Sequence, residues 1–209
     1  MKPTLVGITG RMRTGKTTLA NALADIHNGK VVSFATYVRR EVAEGFFPIR
    51  VSSAIDDEFN PAMKSWLELE TANKSSIRPI LQAWGHGKRT LISTDYWVDA
   101  MDRDLKNSDE DIIFIDDVRY PNEIDYIVSN GGFIVRLECD TDILLERGAS
   151  RLALTHASEN AIDRENLTLQ ESLTPYKTTA FDSGLASAES LQTWVSRWLL
   201  TMNGEVQNE

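Results

Sequence analysis

The chain has 209 residues, 42% of them hydrophobic and 25% charged, with 22 lysines and arginines against 31 aspartates and glutamates and a net charge of −9. That composition fits one folded α/β body and excludes fibrous, repeat and wholly disordered architectures, while the acidic balance argues against a nucleic-acid polymer as partner. No window of about 20 apolar residues occurs, so neither a membrane span nor a secretory leader is expected, and the lone Cys139, without an internal disulfide partner, suits a reducing cytoplasm.

Residues 4–9 are an apolar run too short for a helix, closed by Gly10, and they predict a strand buried on both faces of a parallel sheet. From Gly15 onward, Leu19, Leu23 and Ile26 recur at helical spacing until Asn28-Gly29 stops them. A short strand over 31–35 and a helix over 36–44 follow. Between 44 and 73, Gly45, Pro48, Ser52-Ser53 and Asn60-Pro61 loosen the pattern around a helical stretch at 62–67, which suggests an insert that covers a site. Residues 77–84 are expected to be helical, Gly85-His86-Gly87 to break that helix, and 96–105 to form another with Trp97, Val98 and Met101 on one side.

Ile112-Ile113-Phe114-Ile115 is the clearest strand and ends at Asp116-Asp117. Pro121-Asn122-Glu123 opens a helix with Asn122 as the expected N-cap and Gly131-Gly132 as terminator. Residues 133–138 return as a strand, 141–153 predict a helix, 154–178 are polar and weakly patterned, and 179–182 form a short strand. Leu191, Trp194, Val195, Trp198 and Leu199 mark a final amphipathic helix before a frayed tail at 203–209.

Chemistry concentrates first in GRMRTGKT, residues 10–17, which fits G-x-x-x-x-G-K-[ST] and stands between a predicted strand and a predicted helix. Gly10 and Gly15 let the backbone turn its N–H groups toward a phosphate, Lys16 reaches the outer phosphates of a nucleoside triphosphate, and Thr17 can ligate Mg²⁺. Arg13, Thr14 and Thr18 complete the candidate donor site, although Arg11 and Arg13 are not specified by the pattern and suit a solvated surface equally well. Asp116, at the end of an apolar strand, is the metal-side candidate; the alternative is that Asp116 and Asp117 merely begin a turn. Arg119 falls at the carboxyl edge of the sheet, where ligands bind, or makes a structural ion pair with Asp117 or Glu123.

Arg78 and Gln82 are i, i+4 on one predicted helix, a cation for a phosphate beside an amide for a base edge, with Lys88 and Arg89 nearby; a solvated helix face is the alternative. Arg147 and Arg151 have the same spacing in the 141–153 helix, where an anion between them would relieve their repulsion. Trp66, Trp84 and Trp97 could stack on a base, but their size suits the core.

The stretches GRMRTGKT (10–17), RPILQAWG (78–85), DDVRYPNE (116–123) and HASE (156–159) together resemble the deoxynucleoside monophosphate kinases of bacterial viruses, a branch of the P-loop nucleotide kinases. The resemblance spans roughly residues 4–160 and departs from the family at Gly85-His86-Gly87. It implies an α/β three-layer fold in a single domain, 1–209: a five-stranded parallel sheet flanked by helices (core about 1–45, 106–140 and 176–202), an acceptor-binding insert (about 46–105) and an arginine-bearing lid (about 141–175). It further implies ATP as donor with Mg²⁺ at Thr17 and Asp116. A deoxynucleoside monophosphate would meet Arg78, Gln82, Trp97, Asp117 and Arg119, and Lys16, Arg147 and Arg151 would act at the transfer. The setting implied is the host-cell cytoplasm, with a homodimer left open. Dephospho-coenzyme A kinase, animal-type phosphomevalonate kinase and a non-catalytic ATP-binding module are the competing possibilities.

Overall fold

The apolar run at the amino end becomes β1 (Thr4–Gly10), with residues 5–9 all buried. In the computed structural model, which describes residues 2–46, 74–106, 108–155, 178–184 and 186–202, β1 is the middle strand of a five-stranded sheet. Every pairing is parallel, in the order β2 (Lys30–Val32), β3 (Ile112–Val118), β1, β4 (Phe133–Glu138), β5 (Thr178–Asp182). Parallel neighbours need crossovers, and helices α1 (Lys16–His27), α2 (Phe34–Phe46), α3 (Lys74–Leu91), α4 (Tyr96–Leu105), α5 (Pro121–Ser129), α6 (Thr141–Glu146), α7 (Arg151–Leu154) and α8 (Ala188–Met202) lie between or after the strands. The expected helix at 62–67, with Trp66, and the stretch 156–159 lie outside the described residues. Among the described residues no helix is long and apolar enough to cross a membrane.

The chain divides into two compact units, Met1–Ser33 with Asp102–Glu209, and Phe34–Met101. In the first, Val6 and Ile8 pack with Leu19 and Leu23 of α1, Leu191, Val195 and Leu199 of α8, and Phe114, Val135 and Leu137 of the neighbouring strands. The intervening Gly7 meets the opposite layer: a Cβ there would stand 2.6 Å from Ile127 Cδ1 of α5. Each fully buried aliphatic side chain contributes about 1.5–3 kcal/mol, so burial on both faces, rather than surface charge, sets the position of β1. Gly7 pairs with Ile115 but Thr9 with Val118, so β3 carries one residue more than β1 across this step. The extra residue falls at Asp116-Asp117. Such an irregularity bends a strand and redirects its side chains.

Several local expectations are corrected. The first short strand ends at Val32 and its helix already begins at Phe34, because β2 is an edge strand paired only with β3 and Phe34 is buried, 2% exposed, as a helical residue. The N-cap of α5 is Tyr120, with Pro121 at the first helical position, where its missing N–H does no harm; Asn122 lies inside the helix. The 141–153 helix is two pieces, α6 and α7, separated at Gly148, whose φ of 85° no helical residue adopts.

In the second unit Gly85-His86-Gly87 does not interrupt α3, which runs through to Leu91. Glycine costs about 1 kcal/mol in a helix interior, and packing outweighs that cost here. The Trp97 indole N–H donates to the Gly85 carbonyl at 3.0 Å, Gly85 lies against Val38 of α2, and Lys88 pairs with Glu41 of α2. The Glu41 bond holds the Lys88 ammonium above its ordinary value of 10.5. A Cβ at Gly87 would meet nothing within 4 Å. Gly87→Ala is therefore expected to raise stability by about 0.5–1 kcal/mol in urea denaturation; a lowered midpoint would contradict this helix assignment.

Candidate functional site

At the carboxyl end of β1 the chain enters a tight bend. Gly10 has φ 144° and sits so close to β4 that a Cβ would lie 2.5 Å from the Leu137 carbonyl oxygen. Arg13 takes a left-handed φ of 65°, Gly15 a φ of 92°, and Gly15 is the N-cap of α1. Thr14 Oγ1 donates to the Arg11 carbonyl at 2.8 Å. Lys16 is 8% exposed, and its Nζ donates to the carbonyls of Gly10 and Arg11, both at 2.7 Å. The first turn of α1 carries no acidic residue and no side-chain cap, so its N–H groups and the positive end of the helix dipole are directed into the bend.

Beside the bend, Thr17 Oγ1 donates to Asp116 Oδ2 at 2.6 Å. The register step in β3 brings this about: Asp116 is buried while Asp117 is half-buried. A hydroxyl and a carboxylate are the hard oxygen donors that suit Mg²⁺. Among the described residues no cluster of three or more His, Cys, Asp or Glu exists. The turn after β3 is fastened by Glu123, 1% exposed, whose Oε2 accepts from the backbone N–H of Arg119 at 2.7 Å and of Tyr120 at 3.1 Å. Glu123 thus caps the turn through the backbone of Arg119, a role that the charge-pair expectation missed.

Three successive residues of the bend are tied to the segment 141–154. Arg11 Nη1 donates to Thr141 Oγ1 at 2.9 Å, Met12 packs against the cluster of Leu144, Ala149 and Leu154, and the Arg13 carbonyl accepts a long bond, 3.4 Å, from Arg147 Nη1. Arg147 Nη2 also donates to the Ser183 carbonyl at 2.8 Å. With α6 ended at Glu146, Arg147 and Arg151 do not share a helix face: Arg147 braces backbone carbonyls, while Arg151 opens α7 and is exposed.

A cavity of about 220 Å³ opens next to the bend, between Arg13 and Thr18 on one side and Arg147, Ser183, Leu191 and Gln192 on the other. Sequence reasoning missed this wall. The helical spacing of Ala188, Leu191 and Gln192 was its one signal, and it served there only to place Leu191 in the core.

A family model described as an AAA domain matches residues 6–167. The chain belongs to this AAA domain family. No curated protein sequence matches it. Among solved structures, the AAA domain is similar to a shikimate kinase from Acinetobacter baumannii in complex with shikimate, at TM-score 0.50 and 12% identity over 95% of this chain and 94% of that one. A gluconokinase from Sinorhizobium meliloti 1021 aligns at TM-score 0.49 and 14% identity, over 96% and 94% of the two chains. A shikimate kinase from Aquifex aeolicus vf5 aligns at 0.46 and 14%, over 96% and 97%. The parallel five-stranded sheet flanked by helices is the P-loop kinase fold.

In this AAA domain the first compact unit brings together Gly10, Arg13, Thr14, Gly15, Lys16, Thr17, Thr18, Asp116 and Arg147. The remaining candidates of the second unit are placed as follows. Arg78 is exposed and Gln82 half-buried on α3, as their spacing predicts. Lys88 is engaged by Glu41 and lies over the rings of Trp84 and Tyr96 at 5.3 and 4.8 Å, and Arg89 reaches back to the Gly85 carbonyl at 3.5 Å. Trp97, expected against a substrate, is 1% exposed with its N–H engaged, so it has no open face for a base. For the turn that carries Arg119, Glu123→Ala leaves two backbone N–H groups without their carboxylate and is expected to cost about 1–3 kcal/mol in chemical denaturation; an unchanged midpoint would show that the cap is dispensable.

Proposed function

We propose that the chain is a Mg²⁺-dependent kinase that transfers the γ-phosphoryl group of ATP to a deoxynucleoside monophosphate, giving ADP and the deoxynucleoside diphosphate. The observation that carries this is the bend itself: a buried lysine, an uncapped helix start and the Thr17–Asp116 pair at one edge of a parallel sheet. The likeness of fold to a shikimate kinase supports the phosphotransferase class. The choice of a deoxynucleotide acceptor is supported by DDVRYPNE at 116–123 and the Arg78–Gln82 pair, through the resemblance to viral deoxynucleotide kinases.

The residues then have distinct tasks. Lys16 exchanges its two carbonyl partners for the β- and γ-phosphate oxygens, and the first-turn N–H groups of α1 bind the same polyphosphate. Thr17 and Asp116 would hold Mg²⁺, which neutralises charge on the donor phosphates. Arg13, Thr14 and Thr18 line the donor side, and Arg147 holds the bend and the turn after β5 in register. Arg78 and Arg119 meet the acceptor phosphate, Gln82 and Asp117 its nucleoside, and Arg151 is the cation for the transferring group. The attacking oxygen of a monophosphate is already anionic, so no general base is required; alignment and charge neutralisation supply the rate.

A panel of deoxy- and ribonucleoside monophosphates, dephospho-coenzyme A and mevalonate phosphate, incubated with labelled ATP, tests the assignment. Label should appear in deoxynucleoside diphosphates. Transfer only to another acceptor would redirect the acceptor assignment, and slow hydrolysis alone would favour an ATP-binding module. Lys16→Ala should lower turnover by about 100-fold or more with the circular dichroism spectrum retained; undiminished turnover would contradict the donor site.

A further inference from the structure

The cavity beside the bend has a chemically uneven lining. Its apolar lining consists of Leu19 of α1 and Leu191 of α8, only 2% and 8% exposed, with the small side chains of Ala186 and Ala188. Most of its polar side chains are already committed to protein carbonyls: Thr14 to Arg11, Ser183 to Glu138 at 2.9 Å, and Arg147 to Ser183 and Arg13. Arg13 and Thr18 belong to the bend and the first turn of α1, where a polyphosphate would lie. Gln192 stands on the other wall, half-buried, one residue beyond Leu191 and one helical turn from Ala188. Its amide has no hydrogen-bond partner among the described residues.

We infer that Gln192 is the specificity-determining residue for the base of the donor nucleotide, and that it selects adenine over guanine. This rests on the bend's holding the donor phosphates, which places the base in the adjoining cavity. A primary amide sets one N–H donor beside one C=O acceptor. Adenine offers the complement along its N6/N7 edge, where N6–H donates to the amide oxygen and N7 accepts from the amide N–H, two bonds at once. On that same edge guanine presents two acceptors, O6 and N7, so in this orientation the amide makes one bond and turns its carbonyl oxygen toward another acceptor; guanine's N1–H/O6 edge, which does complement an amide, is the arrangement that tighter binding of the GTP analogue would report. A ring stacked on the Leu19–Leu191 lining needs no further polar contact to be held in plane, which leaves discrimination to the single amide.

The test is isothermal titration calorimetry of the full chain with Mg²⁺ and the imido analogues of ATP and GTP, for the native protein and for Gln192→Ala. Alanine is a strong helix former at this position of α8, and a circular dichroism melt checks that the fold is kept. The native protein is expected to bind the ATP analogue about tenfold or more tightly than the GTP analogue, and the variant to bring the two within about threefold, chiefly by weakening the ATP analogue. Equal affinities in the native protein, tighter binding of the GTP analogue, or a preference that survives Gln192→Ala would overturn the role of Gln192 and leave the donor site standing. Binding of neither analogue to the native protein would overturn the donor site, and this role with it.

Discussion

The bend between β1 and α1 is organised around one ammonium. Lys16 is almost wholly removed from solvent, and its Nζ is held by the carbonyls of Gly10 and Arg11, so the lysine itself draws the two ends of the bend together. Carbonyl oxygens carry partial charge; a phosphate oxygen carries formal charge and forms the stronger, charge-assisted bond. On the proposed reading the bend already has the shape that a polyphosphate needs, and binding would require an exchange of partners rather than a folding step. Preorganisation of this kind removes an ordering cost that a flexible loop would meet on binding.

Long-range packing maintains that shape. β1 is buried on both faces and paired on both edges, which fixes where Gly10 emerges. The neighbouring β3 advances by one extra residue, and that step delivers Asp116 to Thr17. On the other side, Arg11, Met12 and the Arg13 backbone are each tied to the 141–154 segment. A chain of net charge −9 thus brings Arg11, Arg13, Lys16 and Arg147 to one short stretch.

How much of this could be read from the residues depended on distance along the chain. The first strand, the bend and α1 were legible because their signals are adjacent: an apolar run, two glycines, Lys16-Thr17 and a helical repeat. The strand at Ile112 was legible for the same reason, although its extension through Asp116 and Asp117 to Val118 depends on pairing with β1 and was not. Helix α3 shows the opposite case, in which Trp97 and Val38 engage Gly85 and the helix runs on through a stretch that local propensity would place in a turn. The split at Gly148 turned on a single residue that helical spacing alone did not flag. The cavity wall formed by Ser183 and Gln192 was out of reach, since it lies some 170 residues from the bend it adjoins.

The central claim, that the Lys16 ammonium trades backbone carbonyls for a polyphosphate, is tested most directly by a crystal structure of the chain with Mg²⁺ and a non-hydrolysable ATP analogue. The account predicts Lys16 Nζ about 3 Å from β- and γ-phosphate oxygens, with Gly10, Gly15 and the Thr17–Asp116 pair in the positions described above. A bend left empty, with Lys16 still on Gly10 and Arg11 and the analogue bound elsewhere, would contradict it.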